Sequence, residues 1–232
     1  MLTHLPFDSK LFGYPVGKYE VTKNWDQNEF LKQTPSFQLV YLISEDELDI
    51  KSKDIQLMDV KLVFEKALKS ESTFTDYIEL YQGELTEDLI SLALASGEYS
   101  RFKVDPRLNR GEFEKLYQIW ITKALQKREV LVYGKMEGMV TCSVEGELGQ
   151  IGLIAVKESS RGKGIGEKLL KKVESWALEK GARKMKIPTQ KANTPASNLY
   201  RKMGYKIDSK TFIYHYWNEE FKVRDERREA RD

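Results

Sequence analysis

From Glu129 onward the hydrophobic pattern takes the period of strands, through VLVY at 130–133, MVTCSVE at 139–145 and QIGLIAV at 150–156. The breaks at Met136-Glu137-Gly138 and Gly146-Glu147-Leu148-Gly149 are short enough for hairpin turns, so three consecutive antiparallel strands are predicted. The period then changes to 3.6. Ile165, Leu169, Val173, Trp176 and Ala177 fall on one face of a helix that ends at Gly181, with lysines and glutamates on the other face. Lys184 to Thr189 reads as a strand, in which Pro188 has no N–H to give and therefore suits a place where two strands part. Thr194-Pro195 predicts a capped helix over 196–203, closed by Gly204. The aromatic and β-branched run Tyr205 to Trp217 predicts a closing hairpin or strand pair.

The first half is less regular. Phe37 to Ile43 and Ile55 to Phe64 read as strands, and Asn24 to Gln33 as helical, so this half is α/β. Thr86 to Ser96 starts with a cap residue and acids, continues with apolar positions at helical spacing and stops at Gly97. A domain seam is placed there. A further helix is predicted over 110–127, where Phe113, Leu116, Tyr117, Trp120, Ile121 and Ala124 share a face. The division expected is a domain at 1–97, a second at 98–218 and a charged tail at 219–232, the tail reading as a solvated helix or frayed end.

Composition narrows the partners. Across 232 residues Lys and Arg total 38 against 36 Asp and Glu, and a net charge of +2 offers no general attraction to nucleic acid or an anionic membrane. Cys142 is the only cysteine, which excludes internal disulfides, and with His4 and His215 as the only histidines no metal site is expected. No apolar stretch approaches the roughly 18 residues needed to cross a bilayer, so a soluble cytoplasmic protein is expected.

Chemistry concentrates after the third strand, in Arg161-Gly162-Lys163-Gly164-Ile165-Gly166. Glycines let successive backbone N–H groups approach an anion, and the helix start adds unsatisfied donors and a favourable dipole. The spacing fits neither the G-x-G-x-x-G dinucleotide fingerprint nor a Walker loop, which needs Ser or Thr after the lysine. It resembles the R/Q-x-x-G-x-G/A loop of the GNAT superfamily of acyl-CoA-dependent N-acyltransferases, with Arg161, Gly164 and Gly166 on the defining positions. The order of elements from Glu129 to Trp217 is similar to that fold, as is NTPASNLYRKMGY, matched at Asn193, Ala196, Leu199, Tyr200, Gly204 and Tyr205. The resemblance implies an α/β (α+β) fold with a mixed, mostly antiparallel sheet flanked by helices, beside an extra N-terminal α/β domain.

It also implies a site. Acetyl-CoA would serve as co-substrate, without a metal. Its pyrophosphate would lie on Arg161, Gly162, Lys163, Gly164, Ile165 and Gly166, and its pantetheine arm along Ile154, Ala155 and Val156, where the backbone groups of 154 and 156 would pair with it like an added strand. The N–H of Val156 would meet the tetrahedral oxyanion. Asn193 and Tyr200 stand two helical turns apart, on one face. Tyr200 is the candidate general acid to the departing thiolate, since a phenol of pKa about 10 can protonate a thiolate whose acid has a pKa of about 8.5. Asn193 would orient the arm or the sulfur through its amide. No carboxylate is singled out as the base, and Cys142, mid-strand, reads as a packing residue.

Three further segments, Leu5 to Val16, Ser100 to Phe102 with Asp105-Pro106 and the helix after it, and Phe212 to Trp217, resemble the dTDP-4-amino-4,6-dideoxygalactose (dTDP-fucosamine) N-acetyltransferase group. That resemblance implies direct transfer in a ternary complex to the amine of a dTDP-linked amino sugar. Two alternatives stay open: a protein N-terminus, lysine or polyamine as acceptor, and a non-catalytic acyl-CoA-binding domain. The N-terminal half would allow a homodimer without demanding one.

Overall fold

A computed structural model describes residues 2–22, 24–69, 77–219 and 221. In chain order its elements are β1 (Leu2–His4), α1 (Pro6–Phe12), β2 (Val16–Glu20), α2 (Gln27–Gln33), β3 (Leu39–Ser44), β4 (Ile55–Ala67), β5 (Ile78–Leu80), α3 (Glu87–Ser96), α4 (Arg101–Val104), α5 (Glu112–Gln126), β6 (Val130–Tyr133), β7 (Gly138–Glu145), β8 (Leu148–Val156), α6 (Ile165–Glu179), β9 (Lys184–Gln190), α7 (Thr194–Lys202) and β10 (Lys206–Trp217). They pack as two compact units, one of residues 1–61 with 210–232 and one of residues 62–209.

In the smaller unit β1 pairs antiparallel with β2, β2 parallel with β3, and β3 antiparallel with β10 from Leu39↔Trp217 to Ser44↔Phe212. Its core gathers Phe30 of α2, Val40 and Leu42 of β3, Ile55 of β4, and Phe212 and Tyr214 of β10. The unit thus takes strands from both ends of the chain. An N-terminal domain ending at 97 differs from this division, which falls inside β4 and β10 instead. Gly97 does end α3, but α3 buries Leu89, Leu92 and Ala93 and packs against β8 and α5, all in the larger unit. The charged run expected at 219–232 lies, apart from Glu219 and Phe221, outside the described residues.

The larger unit is built on the order β4-β9-β8-β7-β6-β5. The hairpins β6–β7 and β7–β8 are antiparallel, and β5 adds to β6 through Ile78↔Tyr133 to Leu80↔Leu131. One face carries α6 and α7 over a core containing Phe64, Leu131, Val140, Cys142, Ile151, Leu169, Val173, Met185, Ile187 and Tyr200. Alternation explains most of it: β-strand neighbours point to opposite faces, and the apolar stripe of α6 closes the layer. Two details differ from the expected elements. Asn193, not Thr194, caps α7, because its Oδ1 accepts the Ala196 N–H at 3.2 Å. Residues 206–217 form one strand rather than a hairpin. Among the described residues, no helix is long and apolar enough to cross a membrane.

Candidate active site

The glycine loop owes its shape to two residues in the left-handed region, Gly162 at φ 78° and Gly164 at φ 75°. A Cβ added at either would meet nothing within 4 Å. Conformation rather than space therefore demands glycine there, since L side chains avoid that region. Gly166 answers a different need: a Cβ on it would stand 3.0 Å from Cδ2 of Leu199, so its smallness lets α6 and α7 approach closely. No side chain caps α6, and its first intrahelical bond runs from the Lys168 N–H to Gly164 O at 3.2 Å. The N–H groups of Ile165, Gly166 and Glu167 precede that bond and are the donors a helix start offers to an anion. Arg161 and Lys163 are exposed beside them. Glu167 would oppose an anion, but it is ion-paired with Lys202, which also holds its carboxyl below the usual range.

The strand before the loop parts from its neighbour. β8 and β9 pair in parallel at Leu148↔Lys184, Gly149↔Met185 and Gln150↔Lys186, and the registered pairs stop there although both strands continue. A bulge follows at once. Between Val140↔Ile154 and Cys142↔Ile151, Gly152 and Leu153 of β8 face Thr141 alone. The Leu153 N–H donates to Thr141 Oγ1 at 2.8 Å, and a Cβ on Gly152 would meet that oxygen at 2.9 Å. A bulge bends its strand, and this one also changes which residues face the core. Ile151 lies on the α6–α7 side, and beyond the bulge Ile154 and Val156 take over that side.

Main-chain direction decides which groups face the opening. The Lys157 N–H donates to Glu137 O at 2.8 Å, so residues 155 and 157 turn their in-plane groups to β7. Ile154 and Val156, alternating with them, turn theirs to the side that β9 has left. Ala155 pairs with Met139 of β7, so its main chain points away from the opening. A side-chain bond at this edge runs from Arg161 Nε to Val156 O at 3.4 Å, which ties the loop to the strand.

Tyr200 is buried, 2% exposed, with its ring edge-on to Phe64 at 5.5 Å and tilted against Tyr205 at 6.2 Å. Burial holds its phenol well above the usual tyrosine range, so the group keeps its proton at any neutral pH. Asn193 spends its carbonyl oxygen on the cap of α7, which leaves its NH2 for another partner. Ile154, Val156, Ile165 and Tyr200 all border one apolar core, so strand, loop and helix converge there. Cys142 is 1% exposed and desolvation has its thiol pushed up to about 12, which suits packing and not nucleophilic attack. The Thr141–Gly152–Leu153 bulge escaped the sequence reading. Its only signal was a glycine inside a strand pattern.

Known proteins resemble this chain in sequence and in fold. Residues 90–205, half of the chain, match the model of the acetyltransferase (GNAT) family. Over 137 residues the chain is 29% identical to the spore coat polysaccharide biosynthesis protein SpsD of Bacillus subtilis, covering 57% of this chain and 47% of that protein. Over 85 residues it is 31% identical to a streptothricin acetyltransferase of Escherichia coli, covering 31% and 49%. The chain therefore matches about half the length of each of these relatives. A GCN5-related N-acetyltransferase from Sphaerobacter thermophilus superposes with a TM-score of 0.55 at 15% identity, over 92% of this chain and 75% of the other. A functionally unknown conserved protein from Staphylococcus epidermidis does so at 0.60 and 14%, over 91% and 88%. With its glycine loop, parted strands and tyrosine-bearing helix in this arrangement, and half its length matched by the family model, the chain belongs to the GNAT acetyltransferase family.

Proposed function

We propose that the protein transfers an acetyl group from acetyl-CoA to the amine of a nucleotide-linked amino-deoxysugar, in a ternary complex and without a covalent acyl-enzyme. The donor half rests on fit. Two left-handed glycines and three uncapped N–H groups suit a pyrophosphate, and the outward main chain of Ile154 and Val156 suits a pantetheine amide. The Val156 N–H is the group to meet the tetrahedral oxyanion.

Tyr200 then acts as general acid. The neutral amine attacks the thioester carbonyl, the carbon–sulfur bond breaks, the phenol gives its proton to the departing thiolate, and the proton shed by the new amide nitrogen passes through water to the phenolate. Burial keeps the phenol protonated at neutral pH, so the proton to be donated is in place. Asn193 orients the arm through its NH2.

The likeness to SpsD, a spore coat polysaccharide biosynthesis protein, is the observation that carries the sugar acceptor. The likeness to streptothricin acetyltransferase favours a second reading, another small amine. An acceptor panel separates them: CoA release from acetyl-CoA is followed with dTDP-4-amino-4,6-dideoxygalactose, streptothricin, spermidine and a lysine peptide. The dTDP amino sugar should give the highest kcat/KM by at least tenfold. Equal or faster transfer to any other amine would overturn the sugar assignment.

A further inference from the structure

A second cleft lies away from the glycine loop. It has a volume of about 680 Å³ and is walled by the end of β4, by the later turns of α6 and by the passage from α7 into β10, all within the larger unit. That volume falls in the range of small-molecule sites, roughly 300–1,000 Å³. None of the residues lining it belongs to Arg161–Gly166 or Ile154–Val156.

Its charges do not balance. Of the carboxylates on its wall, Glu65 is paired with Lys184 at 2.9 Å and Lys186 at 3.5 Å, and Asp208 with Lys186 at 2.8 Å. Glu174 is paired with Lys66 at 2.8 Å and accepts the Tyr205 hydroxyl at 2.8 Å. Every acid on the wall is thereby satisfied. Lys171 and Lys206 also line the cleft, and among the described residues neither has a carboxylate within ion-pairing distance. Lys69 stands with them on the same wall. Ammonium groups gathered around a concave space raise its potential, and the low-dielectric wall focuses it. Beside them lie Leu178, Met203 and Ile207, the last 47% exposed, an apolar flank open to solvent.

We infer that this cleft is a second binding site, for a phosphate-bearing small molecule with an apolar flank, held by Lys171 and Lys206. The ligand's charge meets these two ammonium groups, neither of which is held in a salt bridge among the described residues, and its apolar side covers Leu178, Met203 and Ile207. The site stands independently of which amine the protein acetylates.

The test titrates inorganic pyrophosphate into the isotopically labelled full chain while amide resonances are followed. Gly204, Lys206 and Ile207 report on the cleft, and Gly162 and Gly164 on the glycine loop. The amides of the cleft should shift with a saturating curve. In the double variant Lys171→Gln/Lys206→Gln their apparent Kd should rise about tenfold or more, the loss of two charged partners, while the loop's response stays the same. Both lysines are exposed, so the variant keeps its fold, which the remaining amide spectrum verifies. Shifts confined to the loop, shifts in the cleft that never saturate, or an unchanged Kd in the double variant would each overturn the assignment.

Discussion

The N–H of Leu153 donates to the hydroxyl of Thr141 at 2.8 Å, and that bond holds the bulge directly after the last registered pair of β8 with β9. The opening between the strands is thus tied to a hydroxyl on the neighbouring strand. Thr141→Val keeps the shape and removes the acceptor, leaving a buried N–H unsatisfied at a cost of about 1–3 kcal/mol. Denaturant unfolding should show that loss, and a CoA titration should show weaker binding. Thr141→Ser should restore both.

The glycines of the loop should respond differently to alanine. At Gly164 a side chain must adopt φ 75°, which costs roughly 1–2 kcal/mol. At Gly166 the obstacle is the tip of Leu199, a flexible side chain that can yield. Gly164→Ala should therefore weaken CoA binding clearly more than Gly166→Ala, as isothermal titration would measure. The reverse order would mean that helix packing and not loop conformation governs the donor site.

Lys202 neutralises Glu167 in the first turn of α6. With Lys202→Ala the carboxylate loses its salt-bridge partner and, with only the more distant Lys171 left, faces an incoming pyrophosphate, so CoA should bind several-fold more weakly and the defect should shrink as salt screens it. Glu167→Gln in the same background should reverse the loss.

The pH dependence follows from Tyr200 and Tyr205, both held above the usual range by burial, with Glu174 adding to the effect at Tyr205. Because the folded values are raised, their contribution to stability is complete below about pH 10, the unfolded value, and is lost as pH rises toward the folded ones. Spectrophotometric titration should find two tyrosines that do not ionise until the protein unfolds. The rate should rise as the acceptor amine loses its proton and should show no falling limb from Tyr200 below about pH 10.

The loop, α6 and the Asn193–Tyr200 segment were legible because each carries a local signal: glycines at positions of positive φ, a 3.6-residue stripe, and a cap with a following proline. The division into units was not. Gly97 and the composition shift near it mark the end of α3, yet only packing reveals that β4 and β10 each run through both units. The bulge was hidden for a related reason. QIGLIAV reads as one continuous apolar strand, and the extra residue appears only when Thr141 is placed opposite Gly152 and Leu153.

Tyr200→Phe tests the account most directly. Phenylalanine keeps the packing against Phe64 and Tyr205 and removes the proton given to the departing thiolate. Single-turnover CoA release should fall by about 10²–10⁴-fold, the usual contribution of a general acid, while the Kd for CoA stays within about twofold. Release at the wild-type rate would contradict the role assigned to Tyr200.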